Sequence, residues 1–510
     1  MKKTLVLLII FLISALMFPG SAFAREGIVG YEGGISSGEV PGKTTLDYQE
    51  VSFISGEPVV FKGTLTLKKS QRQNKLTTTY TYNLRSAETD GSLTRLMVFD
   101  TTSVTMENGQ VTESAELVSA RENVKIGGTT YNIANRNGFE FARSNLIDLK
   151  PAIQYHAGSV WSKKTYTVDA AANGNTVTVE CTGRFYGYDQ YWGNAESLLL
   201  DYIITAEKYG DDKADKWGGT ASVAISSTST EKLDYEKNMP NQISFSGSYV
   251  QSRMNSNVME YSCHLPEFDA NGVSTDHVIG YKDSLKIETF PSQKRLPTAD
   301  PTNIRGHWAE EDIKIMFGLE VFKGNGSKFN PDHYMNRAEF AAAMVQIVKE
   351  IPTDPALTTR TRTTASRKSA ATAVVSPYND VSVENIYFSH IKSAFERGLL
   401  TGRNDNRFAP NENITKADAT LAFIRALGFE YMAPTPVAVT SFRDNDLIPE
   451  YARNAAYVAQ RIGLLQGDNK GNMNPNKKLT KAECATMLSN LIEYLQDGIR
   501  KDYRERLVNY

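Results

Sequence analysis

Three cations, Arg337, Lys416 and Lys481, stand where chemistry is most readily read in this chain. Each follows a residue suited to cap a helix (Asn336, Thr415, Thr480) and stands two positions before an acid (Glu339, Asp418, Glu483), which makes each cation the first residue of a helix. That position lies at the positive end of the helix macrodipole, where a carboxylate is favoured by about 0.3–1 kcal/mol and a cation is mildly disfavoured. One such cation reads as a solvated charge, or as the partner of a protein carboxylate such as Asp380 or Asp444. Three at the same position ask for a common reason. A cation beside helix N–H groups that have no intrahelical partner forms a site for an anion, and an arginine adds a planar fork that fits carboxylate or phosphate.

The cations belong to a pattern written three times between Asp300 and Tyr494. An aromatic or apolar residue (Trp308, Ile386, Tyr451) is followed five positions later by Ile313, Ile391 and Ala456, and sixteen positions later by Gly324, Gly402 and Gly467. Phe329-Asn330-Pro331, Phe408-Ala409-Pro410 and Met473-Asn474-Pro475 then precede the cation by eight positions. Self-similarity of this kind means one supersecondary unit stacked on itself. Each copy is expected to be a helix, a glycine-bearing turn, a short extended piece ending in proline, and a second helix. The second helices carry apolar stripes (Phe340, Met344, Ile347, Val348 and Ile351; Met487, Leu488, Leu491, Ile492 and Leu495) that face a shared core.

With Tyr378-Asn379-Asp380 and Phe442-Arg443-Asp444 as opening aromatic-x-Asp elements and His307-Trp308-Ala309 as the aromatic element, the three copies resemble S-layer homology domains. The resemblance implies a pseudo-threefold α-helical domain whose inter-repeat grooves bind a secondary cell-wall polysaccharide or a peptidoglycan-linked polymer. It further implies noncovalent attachment to a bacterial wall. Carried over to this chain, the anion-recognising residues are Arg337, Lys416 and Lys481. Asp380 and Asp444 are their polar partners, Trp308 is a packing surface for a sugar, and Gly324, Gly402 and Gly467 form the turns. The copies differ. Asp300 lies eight residues before Trp308, against six for Asp380 and Ile386 and seven for Asp444 and Tyr451, and Glu320 stands where Gly398 and Gly463 stand. Because Lys keeps charge but loses bidentate geometry, the Arg337 groove is expected to bind tightest.

The rest of the chain sets the context. Residues 1–24 carry Lys2-Lys3, an apolar run from Leu5 to Met17 and Ala22-Phe23-Ala24, the marks of a secretory signal peptide. Losing its two lysines moves the formal charge from −2 to −4, which gives no reason to expect nucleic acid as a partner, and no later stretch is apolar enough for a transmembrane anchor. Residues 25–150 and 151–295 read as two all-β, sandwich-like domains, from alternating runs such as Leu76, Thr78, Tyr80, Tyr82 and Leu84 and turn pairs such as Asp90-Gly91 and Asn108-Gly109. The repeats are expected at 296–352, 377–430 and 441–495. A Thr/Ala/Arg-rich insertion at 353–376, expected to be disordered, a linker at 431–440 and a basic closing helix at 496–510 complete the organisation.

Three cysteines in 510 residues do not make a disulfide scaffold, and Cys181 and Cys263 either pair or remain buried thiols. No His, Cys or acid grouping has metal-ligand spacing, and no motif calls for a cofactor. The run from Phe185 to Trp192 reads as strand aromatics in a core, with a sugar-stacking platform as the sharper alternative. The resulting expectation is a secreted, noncatalytic surface protein that displays a β-rich structural or adhesive module from three wall-binding repeats. The alternatives are a wall-anchored polysaccharide hydrolase with its active site in the β module, and self-association in a surface layer.

Overall fold

The computed structural model describes residues 33–38, 43–169, 174–209, 214–237, 247–270, 272–297, 302–324, 326–350, 375–435 and 438–508. The signal sequence, Asp300 and nearly all of the Thr/Ala/Arg-rich insertion lie outside them.

The first half is one antiparallel sheet of fifteen strands. They are β1 (Ile35–Ser36), β2 (Thr45–Ser52), β3 (Val59–Arg72), β4 (Lys75–Ser86), β5 (Gly91–Thr105), β6 (Val111–Ile126), β7 (Thr129–Ile133) and β8 (Phe139–Leu149). There follow β9 (Ile153–Val168), β10 (Thr176–Gln190), β11 (Gly193–Tyr209), β12 (Ala214–Glu236), β13 (Ser248–Phe268), β14 (Ser274–Glu288) and β15 (Ser292–Arg295). Neighbours in sequence pair throughout, except that β8 bridges β6 and β9 beside the short β7, and β15 returns to β13. Period-2 alternation sets which face is inward: Leu76, Thr78, Tyr80, Tyr82 and Leu84 of β4 are all buried. An open twisted sheet rarely exceeds about ten strands without curling. This one rolls. Phe53, between β2 and β3, packs its ring 5.9 Å from those of Tyr202 in β11 and Tyr261 in β13. The Asn257 side chain of β13 donates to the Ser36 carbonyl of β1 at 2.7 Å.

The interval 145–160, where the sequence suggests a division into two β domains, falls on β8 and β9. These pair with each other from Phe139–Lys164 to Leu149–Gln154. Strands from both sides, through Leu65, Tyr82 and Phe99 on one hand and Leu200, Val223 and Met259 on the other, line one apolar interior. Cys181, Cys263 and Cys484 are all free and buried, so the 181–263 pairing does not form.

The second half holds seven helices among the described residues: α1 (Glu310–Gly318), α2 (Arg337–Ile347), α3 (Phe388–Glu396), α4 (Lys416–Leu427), α5 (Glu450–Arg461), α6 (Lys481–Glu493) and α7 (Ile499–Val508). The first helix of a copy packs on the second helix of the copy before it: α3 on α2, α5 on α4, and, closing the circle, α1 on α6. The residues just before the second helices form a ring of main-chain bonds. Met335 donates to Leu479 (2.9 Å), Leu479 to Ile414 (3.0 Å) and Ile414 to Met335 (2.9 Å). The predicted pseudo-threefold arrangement is therefore closed.

The two halves share a packed interface. Trp192, Tyr155, Tyr188, Ala152 and Ile153 join the apolar core of the helices. Donors from the β half meet main-chain carbonyls that α-helices leave without partners at their C-terminal ends. Trp192 Nε1 donates to Ile347 O of α2 at 3.0 Å. Ala152 N and Tyr155 Oη donate to Ala426 O and Leu427 O of α4, both at 2.9 Å. Gln190 donates to Leu495 O just beyond α6. The aromatic run 185–192 is thus core and interface: Phe185, Tyr188 and Trp192 are buried, and Tyr186 and Tyr191 pack against the helical half, which leaves no exposed stacking platform. The basic closing helix docks in the same place, with Arg506 on Asp148 and on Gly428 O.

Two outcomes follow. Glu320 holds a left-handed conformation (φ 60°) at the place where Gly398 (φ 71°) and Gly463 (φ 78°) do so without a side-chain clash. Glu320→Gly is expected to raise stability by about 1 kcal/mol, measured as a higher urea midpoint with unchanged m. Because the interface is apolar and hydrogen-bonded on every second helix, calorimetry of the intact protein should give one unfolding transition. Trp192→Ala, at a cost of about 3–5 kcal/mol, should lower that transition as a whole or split it in two.

Candidate functional site

The starts of the three second helices are built alike. Their third N–H groups are capped by side chains: Asn336 accepts from Glu339 N at 2.8 Å, Thr415 from Asp418 N at 3.2 Å and Thr480 from Glu483 N at 3.2 Å. Reciprocal capping boxes form at Asn336–Glu339 and Thr480–Glu483. Thr415 accepts its single bond, because the Asp418 carboxylate is turned elsewhere. The first and second N–H groups donate to the Phe-x-Pro segment of the next copy. Arg337 N reaches Glu412 O (2.8 Å) and Ala338 N reaches Pro410 O (3.1 Å). Lys416 N reaches Lys477 O (3.0 Å) and Ala417 N reaches Pro475 O (2.9 Å). Lys481 N reaches His333 O (2.8 Å) and Ala482 N reaches Pro331 O (3.0 Å). This corrects part of the sequence argument. The helix N–H groups are satisfied by neighbouring carbonyls and offer nothing to an anion, so any charge recognition rests on the cationic side chains alone.

Those side chains are not equivalent. Arg337 is 2% exposed. Its guanidinium donates to Phe408 O (2.9 Å) and Thr401 O (2.8 Å), lies 3.4 Å from Asp418, and stacks over the Phe408 ring. Asp418 is further held by Arg403 (3.1 Å) and by the Tyr451 hydroxyl (3.0 Å). Lys481 pairs with Glu339 at 3.0 Å. In both cases a cation of one copy meets the acid of the next, counting copy one as following copy three. The third pair is missing. Glu483, the acid that Lys416 would meet, is taken by Lys477. Lys416 is half-buried, and no ion pair or hydrogen bond reaches its Nζ among the described residues. Burial, then the nearby Lys477 ammonium, draw its pKa below the usual lysine value.

The carboxylates that recur in copies two and three serve the turns. Asp380 accepts from Phe408 N and Ala409 N, both at 2.8 Å, and Asp444 accepts from Met473 N and Asn474 N, both at 2.7 Å. Burial would raise the Asp380 pKa, and the two main-chain donors outweigh it and hold it below the usual range. Both turns put a non-glycine residue in the left-handed region, Ala409 and Asn474 at φ 58°, and the bidentate carboxylate stabilises that geometry. Gly402 is required by close packing: a Cβ there would lie 2.5 Å from the Tyr378 ring. Gly324 (φ 90°) and Gly467 occupy the corresponding turns. The opening positions Trp308, Ile386 and Tyr451 are 65%, 82% and 52% exposed. Tyr451 lies over the start of α4 through its bond to Asp418, and α1, which Trp308 precedes, is tied to α6 by the Thr486–Asp312 bond. A groove therefore draws its cation from one copy, its acid and glycine turn from the next, and its exposed apolar residue from the third. Arg403 and Lys477, which decide what the acids do, escape the sequence reading. Arg403 had a signal, its place directly after Gly402, whereas Lys477 is marked only by its position between Pro475 and Lys481.

The S-layer homology domain model matches residues 304–341, 377–420 and 441–485. The chain carries three S-layer homology domains. They make it a secreted surface protein anchored at the cell wall. An exoglucanase of Acetivibrio thermocellus is 23% identical over 231 residues, 44% of this chain and 19% of that protein. An endoglucanase of Bacillus sp. (strain KSM-635) is 27% identical over 189 residues, 36% of this chain and 18% of that protein. The surface-layer 125 kDa protein of Lysinibacillus sphaericus is 24% identical over 190 residues, 36% of this chain and 14% of that protein. The matches thus span less than a fifth of each of these relatives. Among the described residues no helix is long and apolar enough to cross a membrane, and no group of His, Cys, Asp and Glu is arranged to hold a metal.

Outside the S-layer homology domains, ionisable groups gather inside the rolled sheet. Arg95 bridges Glu50 (2.8 Å) and Glu122 (2.7 Å), and Lys164 reaches Glu122 at 2.9 Å. Burial would raise Glu122, but Arg95 and Lys164 outweigh it and bring its pKa down to about 2. A glycosidase acid needs the opposite shift. These residues line a cavity of about 50 Å³, against the roughly 300–1,000 Å³ of ligand pockets. His156 lies 4.0 Å from Asp189 and 3.8 Å from Glu196. Burial, with the Arg143 charge behind it, pushes its pKa down to about 3, so it is neutral at pH 7 and those approaches are not ion pairs. Both shifts have the same sign for stability. The unfolded chain binds the His156 proton first as pH falls from 6.5 towards 3, and the Glu122 proton first from 4.5 towards 2. Stability should therefore fall on acidification, already below pH 6.5. Urea titrations at a series of pH values should show His156→Gln removing the loss between pH 6.5 and 4.5 and reducing its slope from there down to about pH 3, where the Glu122 contribution remains.

Proposed function

We propose that the protein holds to the wall through the groove between its second and third S-layer homology domains, which takes a negatively charged segment of a secondary cell-wall polysaccharide or a peptidoglycan-linked polymer. The observation that carries this reading is Lys416, a half-buried cation that makes no ion pair among the described residues at a position where the other two copies make one. The buried surroundings strengthen its attraction for an anion relative to a solvated lysine. Trp308, exposed at the head of α1, supplies a ring face on the same side. Arg337 and Lys481 act in this reading as inter-repeat ties, and the rolled β module is the part displayed, structural or adhesive in role.

A second reading is favoured by relatives named exoglucanase, endoglucanase and, in Thermoanaerobacterium thermosulfurigenes, amylopullulanase: a wall-anchored hydrolase of polysaccharide. Glu122, held ionised by Arg95 and Lys164, and Glu50, salt-bridged to Arg95, lend it no acid–base pair. Release of reducing sugar from glucan, pullulan or purified wall polymer by the intact protein would establish it.

Binding of the mature protein to purified wall polymer, measured by sedimentation, tests the first reading. Lys416→Ala should weaken it roughly ten- to a hundredfold, the loss of one charge-assisted contact, and Lys416→Arg should retain most of it. Undiminished binding by a folded Lys416→Ala variant would overturn the assignment.

A further inference from the structure

We propose that Lys477 is a positioning residue for the wall polymer: by occupying Glu483 it keeps Lys416 from the inter-copy ion pair made in the other two seams, a role that rests on the reading of Lys416 as the polymer's contact. The three seams share one main-chain frame. Arg337 N, Lys416 N and Lys481 N donate to the carbonyls of Glu412, Lys477 and His333. The residue after each of those three bridges to a helix cap: Asn413 to Asn336, Lys478 to Thr415 and Tyr334 to Thr480. Glu412, Lys477 and His333 therefore hold one and the same position, and the seam of Lys416 is the one that carries a lysine there.

The acids of two seams are matched oxygen by oxygen. Glu339 and Glu483 each close a capping box through Oε2, which accepts from Asn336 N and Thr480 N, both at 3.1 Å. Each then has Oε1 for a cation. Glu339 Oε1 takes Lys481, the first residue of a helix in the neighbouring copy, at 3.0 Å. Glu483 Oε1 takes Lys477 of its own copy instead. The two carboxylate side chains are 22% and 23% exposed, so solvent does not account for the difference. In the remaining seam the equivalent of Lys477 is itself an acid, Glu412, which lies 3.5 Å from Arg403, and Arg337 reaches Asp418. Where that position carries no lysine, the cation at the helix start meets the acid of the next copy.

Lys477 thus acts twice on Lys416. It neutralises the nearest acid on the opposite copy, and its own ammonium adds a like charge, which together with burial disfavours the protonated lysine. An anion entering the seam relieves that cost. Without Lys477 the outer oxygen of Glu483 is open, and Lys416 takes it as Lys481 takes Glu339. The polymer then has to displace a protein carboxylate, and its apparent affinity falls with the fraction of molecules in which Lys416 remains unpaired.

The test measures sedimentation of the mature protein with purified wall polymer, and adds a crystal structure of one variant that needs no polymer. Lys477 is half-exposed, so its replacement leaves the core intact. Lys477→Met should weaken binding roughly three- to tenfold, the cost of displacing a partly screened ion pair, whereas Lys477→Arg should keep it. Lys477→Met combined with Glu483→Gln, which preserves the capping box and removes the competing carboxylate, should recover it. Parental binding by Lys477→Met, or a natively folded double variant that stays weak because Lys477 itself touches the polymer, would overturn the proposal. So would a structure of Lys477→Met in which Lys416 Nζ does not lie on Glu483. That structure also separates the two readings: undiminished binding by Lys416→Ala removes Lys416 as the polymer's contact, while the Lys416–Glu483 pair in Lys477→Met still decides whether Lys477 holds the two apart.

Discussion

Ring closure governs this helical half. No S-layer homology domain here completes its own second helix: the first two N–H groups of α2, α4 and α6 are satisfied by carbonyls of the next copy, and the last of those donations returns to copy one. A buried N–H without an acceptor costs about 1–3 kcal/mol, so a pair of copies would leave helix starts unsatisfied at its ends. The three must fold together. The same logic explains the cations. A side chain at the first helical position projects into the seam between copies, where a counter-ion from the next copy stands three residues beyond its own cap.

That arrangement turns a repeat into a set of unequal sites. Arg337 with Asp418 and Lys481 with Glu339 are inter-copy ion pairs, one of them buried, and removing either partner would leave a charge without its match. At the remaining seam Lys477 sits on Glu483, and Lys416 is left over. The arginine expected to make the best anion site has its fork already occupied. A planar fork with five donors is also the better structural tie, and in a seam crowded with carbonyls Arg337 is consumed by Phe408 O, Thr401 O and Asp418.

How far the sequence could be read follows the range of the interactions. Helix, turn and cap positions are local, and the capping residues Asn336, Thr415 and Thr480 are where the spacing puts them. The cation position is legible for the same reason. Its partner is not, because that depends on which copy follows which around a closed ring. Asp380 and Asp444 mislead in a related way. Their spacing from the aromatic suggests a common ligand role, while their target is a main-chain turn some thirty residues on, held in a left-handed conformation that neither Ala409 nor Asn474 advertises. In the β half, alternation marks the buried face of β4 but says nothing about whether strands 100 residues apart share a sheet. The rolling of one sheet rests on contacts such as Asn257 to Ser36 and Phe53 to Tyr261 that leave no periodic trace.

The direction of the second helices joins these points. Their N-terminal ends carry the seam cations, and their C-terminal ends are closed by Trp192, Tyr155 with Ala152, and Gln190 from the β half. Helices of 11 to 13 residues span about 16–20 Å at 1.5 Å per residue. The face proposed to meet the wall and the face that meets the β half therefore lie at opposite ends of one short bundle. The bundle core continues into the sheet through Tyr188 and Trp192. A polymer bound at Lys416 would thus fix the orientation of the sheet and not merely tether it.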